Sequence, residues 1–255
     1  MHPDLSVVIP TFNEADRIGA SVRAVLAHLD RRDLSHEVIV SDDGSTDPTR
    51  EVVAGLVREG LPVALVEAPV NRGKGRAVRR GVLASAGARV LVADADLAIP
   101  ITQLDVLMAA LADGADIALG SRRLNPHGAS VRPPRSREIL GWTFNLLVQA
   151  TLLRGIWDTQ CGFKLFRGEV ARRLFPHCVV DGFAYDVEVL ALARRTGCTI
   201  VEVPVAWSHA TGGSSVRILR DGAAMLRDVA RIVRRLSRFD ADAAAADSAQ
   251  ADDPA

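Results

Sequence analysis

The sequence predicts an α/β protein built on a mostly parallel sheet with helices on both faces. Short apolar runs of strand length alternate with segments of helical periodicity through the first half of the chain. These runs are apolar at nearly every position, which is typical of strands buried on both faces. Regular alternation of strand and helix favours parallel pairing through crossover helices.

Five strands and four helices are predicted before residue 122. The strands are Leu5–Ile9, Glu37–Asp42, Pro62–Glu67, Arg89–Asp94 and Asp116–Ser121, and the helices are Glu14–Leu29, Asp47–Arg58, Lys74–Ala86 and Thr102–Leu111. In the first helix, Ile18, Val22 and Val25 recur at helical spacing. Thr46 or Asp47 is the expected N-cap of the second helix, because a short polar side chain can accept from its first free amides.

The second half of the chain is less regular, and we expect no internal repeat. In order, its segments are a loop Leu124–Arg137 rich in Pro, Arg and Ser, an apolar segment Glu138–Trp157, a loop-to-strand segment Asp158–Phe166, a helix Tyr185–Arg195, a strand Thr199–Trp207 and a basic helix Val216–Arg238. We expect residues 1–239 to form one domain.

Composition is that of an ordinary soluble globular protein. The 255 residues are 48% apolar and 24% charged, and the chain is long enough to bury a core in one large domain. Residues 240–255 hold five Asp, no basic residue and no large apolar residue, so we expect a disordered tail. Without it, 31 basic residues face 26 acidic ones, and the net charge of residues 1–239 is +5.

Several classes of protein are not indicated. Three irregularly spaced cysteines fit neither a disulfide framework nor a zinc site, which favours a reducing, cytosolic setting. The N-terminus lacks a signal-peptide pattern, and no apolar run approaches the ~18 residues of a membrane span. The basic stretches lack a nucleic-acid-binding module, so we expect no nucleic-acid partner.

Polar segments follow each of the first five predicted strands. They are PTFNE (Pro10–Glu14), DDGSTD (Asp42–Asp47), NRGKG (Asn71–Gly75), DAD (Asp94–Asp96) and SRR (Ser121–Arg123). Parallel strands end at the same edge of a sheet, and ligands of open α/β sheets bind at that edge. We therefore expect these five segments to form one site.

The DAD segment favours a divalent cation. Asp94 and Asp96 end a core strand where the chain must turn, and carboxylate oxygens suit Mg²⁺ or Mn²⁺ together with a nucleotide diphosphate. The alternative is that both aspartates cap the helix from Thr102. In NRGKG, Lys74 lies at a helix start beside an expected anion, although the glycine spacing is not that of the dinucleotide fingerprint.

Taken together, these motifs resemble those of family 2 glycosyltransferases, which have the GT-A fold with a Rossmann-like sheet. The resemblance rests on VVIPTFNE, VSDDGSTD, NRGKGRAVRRG, VADADLAIP and GSR and covers roughly Leu5–Val216. DTQCGFKLF, FAYDVEVLALARR and VPVAW are similar to the dolichyl-phosphate and polyprenyl-phosphate glucosyl- and mannosyltransferase branch, with DTQCGFKLF closer to the glucosyltransferases. The implied donor is UDP-glucose or GDP-mannose.

The resemblance implies a role for each motif residue. The base and ribose would be lined by Pro10, Phe12 and Glu14 and contacted by Asp42, with Asp43 nearby. The metal and the sugar nucleotide would be held by Asp94 and Asp96, with backbone contacts from Ala95. Arg122 would meet a phosphate or the sugar, and the donor sugar or acceptor phosphate would lie near Asp158, Gln160 and Lys164. Residues 1–123 would then bind the donor, and residues 124–239 would face the acceptor and membrane.

One segment departs from the family pattern. Mannosyltransferases of this branch carry an Arg and then a Lys after the last strand, whereas this chain places His209 and Ser215 there, with Arg217 as the alternative cation. The contacts that close over the diphosphate, and the choice of nucleotide, therefore stay open.

The acceptor determines which chemistry the protein must supply. An alcohol needs a general base, for which Asp186 and Glu188 are the candidates, whereas a polyprenyl phosphate is already an anion and can attack directly with inversion. Cations would then seat it, and the candidates are Arg122, Arg123, Arg135, Arg137 and Lys164. Asp96, Arg122, Asp158 and Lys164 are the predicted catalytic residues.

Two segments are candidates for a membrane surface. Glu138–Trp157 carries Trp142, Phe144 and Trp157, and Val216–Arg238 carries seven Arg against two Asp. In the second segment, Leu219, Ala223, Leu226, Ala230 and Val233 form one helical face. Such amphipathic helices suit an anionic leaflet, and the alternative is that both pack on the core. We expect a peripheral protein on the cytoplasmic face, with a membrane-protein partner or homo-oligomer left open.

Three alternatives to transfer onto a lipid phosphate remain. A GT-A enzyme with a soluble sugar or glycerate acceptor would need a base. A non-catalytic binding protein on the same fold is disfavoured by the intact DAD and DDGSTD motifs. A nucleotidyltransferase usually has a Gly-rich loop after its first strand, and PTFNE is not one.

Overall fold

A seven-stranded sheet forms the centre of the fold in the computed structural model, which describes residues 2–125, 135–208, 222 and 224–237, with residues 135–142 described by their backbone alone. The strands are β1 (Leu5–Thr11), β2 (His36–Asp42), β3 (Val63–Glu67), β4 (Arg89–Val92), β5 (Ile117–Ser121), β6 (Lys164–Arg167) and β7 (Ile200–Pro204). Their order is β3-β2-β1-β4-β6-β5-β7. Only β6 runs antiparallel to its neighbours, so the predicted mostly parallel sheet is confirmed.

Eight helices accompany these strands in the described residues. They are α1 (Ala15–Leu29), α2 (Thr49–Arg58), α3 (Lys74–Ala84), α4 (Leu104–Ala112), α5 (Arg135–Thr151), α6 (Gly168–Leu174), α7 (Tyr185–Arg195) and α8 (residues 224–237), with 3₁₀ turns at Ile101–Gln103 and Phe175–His177. None of the described helices is long and apolar enough to cross a membrane.

Two apolar clusters cover the two faces of the sheet. Alternate residues of one strand enter different clusters, because successive side chains of a strand point to opposite faces. Val7 and Ile9 of β1 belong to the cluster that contains α1, α2 and α4, whereas Val8 belongs to the cluster that contains α3, α5, α6, α7 and α8. The predicted coverage of both faces is therefore confirmed.

The antiparallel strand β6 was not predicted as such, and it matters for the site. An antiparallel strand begins at the edge where its parallel neighbours end. Lys164, the first residue of β6, pairs in register with Val92 of β4 and Leu119 of β5. The topology therefore brings Lys164 to the same edge as the segments that follow β1 to β5.

Several predicted boundaries differ from those observed. The helix predicted from Thr102 begins at Leu104 after a 3₁₀ turn, and β4 ends at Val92 because the chain already turns at Asp94. The predicted loop Leu124–Arg137 is wrong at its end, since α5 begins at Arg135. Helix α6 was missed. The predicted tail 240–255, and residues 126–134 and 209–221, lie outside the described residues.

Candidate active site

The carboxyl edge of the sheet brings the predicted polar segments together. The segments after β1, β2, β3 and β4 meet there through direct contacts. Asn13 after β1 accepts from the Thr46 amide at 2.8 Å, and Asp43 after β2 accepts from the Gly73 amide at 2.6 Å. Lys74 after β3 contacts Asp94 after β4. These contacts support the expectation of one shared site.

The two aspartates of DAD lie on a tight turn. The Leu97 amide donates to the Asp94 carbonyl at 3.1 Å, and Leu97 has a left-handed φ of 44°. Asp96 is exposed and accepts from the Ala98 amide at 3.0 Å. Helix α4 has no side-chain cap, so the alternative that Asp94 and Asp96 cap this helix is wrong.

The Asp94 carboxylate is held from two sides. Lys74 Nζ at the start of α3 lies 2.5 Å from Asp94 Oδ1. On the other side, a methyl group on Gly162 would overlap the same carboxylate. Burial would lower the pKa of Lys74, but Asp94 and Asp186 outweigh it and raise that pKa. Lys74 therefore stays positively charged beside Asp94, at the place where we expect an anionic ligand.

A buried ion pair lies beneath this contact. Lys164 and Asp186 are 1% and 3% exposed, and Lys164 Nζ donates to Asp186 Oδ1 and to the Cys161 carbonyl oxygen. Burial raises the pKa of Asp186, and Lys164 and Lys74 oppose that rise. Lys164 was predicted to lie near the donor sugar or acceptor phosphate, and the structure places it beneath Asp186.

A second ion pair fixes the segment after β5. Arg122 donates to the buried Asp158 from Nε and Nη2, both at 2.8 Å, and from its backbone amide at 2.9 Å. Its guanidinium also lies 6.0 Å from the centre of the Trp207 ring. Burial would raise the pKa of Asp158, but Arg122 outweighs it and holds that pKa below its usual range.

Glu202 on β7 supports this pair and was missed by the sequence analysis. It accepts from the amides of Trp157 and Asp158 at 2.7 and 2.8 Å. Nothing in its sequence neighbourhood indicates this contact, since Glu202 alternates with apolar residues like any solvent-facing strand residue.

Asp42 and Asp43 have different environments. Asp42 is fully buried and accepts from the Gly44 and Ser45 amides and from Arg50 Nε at 2.6 Å, so its carboxylate organises the loop. Asp43 Oδ2 accepts from two amides, but its buried Oδ1 has no partner among the described residues. Asp43 Oδ1 can therefore still accept a hydrogen bond.

The remaining predicted binding residues line the same edge unevenly. Pro10 is buried in β1, Phe12 is 38% exposed, and Glu14 is half-buried near Asp94 and Asp96, with its pKa raised chiefly by burial. The Ala95 carbonyl accepts from Ser21 Oγ at 2.6 Å. Gln160 Nε2 lies 4.0 Å from Met225 Sδ of α8, and His209 and Ser215 lie outside the described residues.

The donor set fits a divalent cation that also binds a ligand. Asp94 and Asp96 offer carboxylate oxygens on one turn, and no group of three or more metal-ligating side chains occurs in the described part of the chain. Mg²⁺ and Mn²⁺ commonly take one or two carboxylates and complete their coordination with water and substrate phosphates. The two aspartates satisfy that requirement.

The buried pair Lys164–Asp186 makes a stability prediction. Asp186→Ala would leave the Lys164 ammonium buried without its partner, and we expect a loss of about 3–5 kcal/mol in the free energy of unfolding. The double variant Lys164→Met/Asp186→Leu should recover most of that loss. Urea unfolding measures both.

The exposed pair Arg23–Glu59 is the matched control, because both side chains are 51% exposed. Arg23→Ala should cost less than about 1 kcal/mol. An Asp186→Ala protein as stable as this control would contradict the assignment of a structural ion pair.

Comparison with known proteins agrees with this geometry. The model of the family "Glycosyl transferase family 2" matches residues 6–175. A dolichyl-phosphate beta-glucosyltransferase of Dictyostelium discoideum is 35% identical over 240 residues, covering 89% of this chain and 73% of that protein. The human protein of the same name is 36% identical over 225 residues, covering 83% and 69%.

The fold is also found in solved structures. Glucosyl-3-phosphoglycerate synthase from Mycobacterium tuberculosis, solved with Mn²⁺, UDP and glucosyl-3-phosphoglycerate, superposes with a TM-score of 0.64 at 23% identity, covering 90% of this chain and 78% of that one. This likeness confirms the expected GT-A-type sheet. With its motifs at one edge of that sheet and relatives of this identity along most of its length, the chain belongs to glycosyltransferase family 2.

Proposed function

We propose that this protein transfers glucose from UDP-glucose to the phosphate of a polyprenyl lipid, with inversion at the anomeric carbon. The relatives support glucose over the mannose alternative, because those that match most of the chain are named dolichyl-phosphate beta-glucosyltransferases. UDP is the nucleotide bound in the mycobacterial structure of the same fold. GDP-mannose has no such support.

The observation that carries the proposal is that the candidate bases of the site are already bound to cations or to backbone amides. Transfer to an alcohol needs a general base, and Asp186 and Glu188 were the candidates. Asp186 is bound by Lys164. Glu188 accepts from the amides of Val179 and Val180 and pairs with Arg235 at 3.0 Å. Asp158 is occupied by Arg122. An acceptor that arrives ionised needs none of them.

A phosphate acceptor makes the reaction a single displacement. One of its oxygens attacks the anomeric carbon as the bond from that carbon to the diphosphate breaks, and the electron pair leaves with UDP. Attack opposite the leaving group converts an α-linked donor into a β-linked product. The protein must then orient two anions and stabilise the charge that develops on the diphosphate.

The chain supplies fixed cations for these tasks. Lys74 lies at the N-terminus of α3, where a helix favours negative charge, and can exchange Asp94 for a diphosphate oxygen. Arg122 is held by Asp158 while its side chain stays partly exposed, and we assign it to the acceptor phosphate. A divalent cation held by Asp94 and Asp96 would neutralise the departing diphosphate.

A membrane surface is the second part of the proposal. Helix α8 packs on the core through Val229, Ile232 and Leu236. Its other apolar face, Leu226, Ala230 and Val233, is exposed beside three exposed arginines, Arg227, Arg231 and Arg234. Leu146, Leu147 and Trp157 are exposed at and near α5. These features support peripheral binding to an anionic leaflet, and we place the protein on the cytoplasmic face.

The transfer assay tests the proposed reaction. With labelled UDP-glucose, Mn²⁺ and a short-chain polyprenyl phosphate, we expect label in the lipid, and no transfer to polyprenol or to 3-phosphoglycerate. Asp96→Asn should lower the rate by roughly 100-fold or more, because it weakens the hold on the divalent cation that would neutralise the departing diphosphate. The control Asp113→Asn changes an exposed aspartate directly after α4 and should leave the rate unchanged. Preferred transfer to 3-phosphoglycerate would show that the acceptor is wrong.

Vesicle flotation tests the membrane surface. Leu226→Glu/Val233→Glu should abolish binding to vesicles that contain phosphatidylglycerol, because it places charge on the exposed stripe. The control Val57→Glu/Val106→Glu changes two equally exposed valines on α2 and α4, whose buried residues pack on the opposite face of the sheet, and should float like wild type. Equal flotation of both double variants would rule out α8 as the contact.

A further inference from the structure

Tyr185 is a buried phenol at the edge of the site for which the proposed reaction has no role yet. It is the first residue of α7, is 3% exposed and is the only tyrosine of the chain. A Cβ on Gly75 would lie 2.6 Å from the Tyr185 Cβ, so α3 packs directly against the base of this side chain. Tyr185 therefore leaves α7, the helix that also carries Asp186, where α3 with Lys74 packs against it.

The hydroxyl of Tyr185 has no hydrogen-bond partner among the described residues. The Asp186 carboxylate is close to this hydroxyl, but the two groups do not meet the geometry of a hydrogen bond. Burial raises the pKa of the phenol well above its ordinary value, so the group stays a neutral donor at physiological pH. A buried donor without a partner is costly, which makes a ligand oxygen its natural complement.

The chemistry around this hydroxyl selects the kind of ligand. Lysine and arginine only donate hydrogen bonds, and an ionised carboxylate only accepts them. A sugar hydroxyl does both, so it needs a donor and an acceptor side by side. Tyr185 and Asp186 supply that pair, whereas a diphosphate has no proton to give and would be repelled by the carboxylate. The neighbourhood therefore matches the hexose better than the nucleotide.

We propose that Tyr185, together with Asp186, recognises one hydroxyl group of the donor hexose and so helps to determine which sugar is transferred. This inference rests on the proposed use of a nucleotide sugar, and it names a residue that recognises the hexose. Tyr185 is a specificity-determining residue in this account, since the phenol contacts the hexose away from the reacting carbon.

Calorimetry with Tyr185→Phe tests the contact directly. Removing only the hydroxyl should weaken binding of UDP-glucose, in the presence of Mn²⁺, by about tenfold and leave the affinity for UDP unchanged. Among UDP-deoxyglucose donors, one should bind wild type and variant equally, which identifies the recognised hydroxyl. Thr151→Val removes a hydroxyl that bonds only within α5, and it should change neither affinity.

The single tyrosine also gives a spectroscopic readout. Protein labelled with ¹³C at the tyrosine ζ-carbon has one signal, which should shift on adding UDP-glucose and shift far less on adding UDP. Equal shifts with both ligands, or equal UDP-glucose affinities of wild type and Tyr185→Phe, would overturn the inference while leaving the proposed function intact. Absence of UDP-glucose binding to wild type would overturn both.

Discussion

The alternation of positive and negative side chains under the carboxyl edge of the sheet is the constraint on which the site depends. Three ion pairs, Lys74–Asp94, Lys164–Asp186 and Arg122–Asp158, join α3, β6, α7 and the three segments that follow β4, β5 and α5. Buried charges are tolerable only when they are paired. The buried pair Lys164–Asp186 therefore fixes β6 to α7, and the partly exposed Lys74 and Arg122 place two cations at the edge of the sheet.

The sheet and the DAD turn could be predicted because their signals are local. Continuous apolar runs identify β1 to β5, and parallel strands necessarily end at one edge. The pairing of Lys164 with Asp186 could not be predicted, since it depends on β6 entering antiparallel between β4 and β5. Glu202 was missed for the same reason, because the amides that it binds belong to the distant segment Trp157–Asp158.

Helix α8 shows a related limit of periodicity. The sequence contains two apolar stripes, and the one predicted to matter, with Leu226, Ala230 and Val233, is the one that stays exposed. The stripe that packs on the core, with Val229, Ile232 and Leu236, lies next to it. Helical spacing cannot decide which of two stripes is buried, because that depends on the surface against which the helix packs, which includes α7. Packing of this helix on the core is confirmed for the stripe with Val229, Ile232 and Leu236, whereas contact of the exposed stripe with a membrane stays a prediction.

Because Asp158, Asp186 and Glu188 are already bound to cations or to backbone amides, we propose that the acceptor attacks directly, without a protein base or a covalent intermediate. Proton NMR of the purified glucolipid, made from UDP-glucose and polyprenyl phosphate, measures the configuration at its anomeric carbon. Direct attack on an α-linked donor should give a β-linked glucose. An α-linked product would contradict it, since retention requires a second displacement or attack from the leaving-group side.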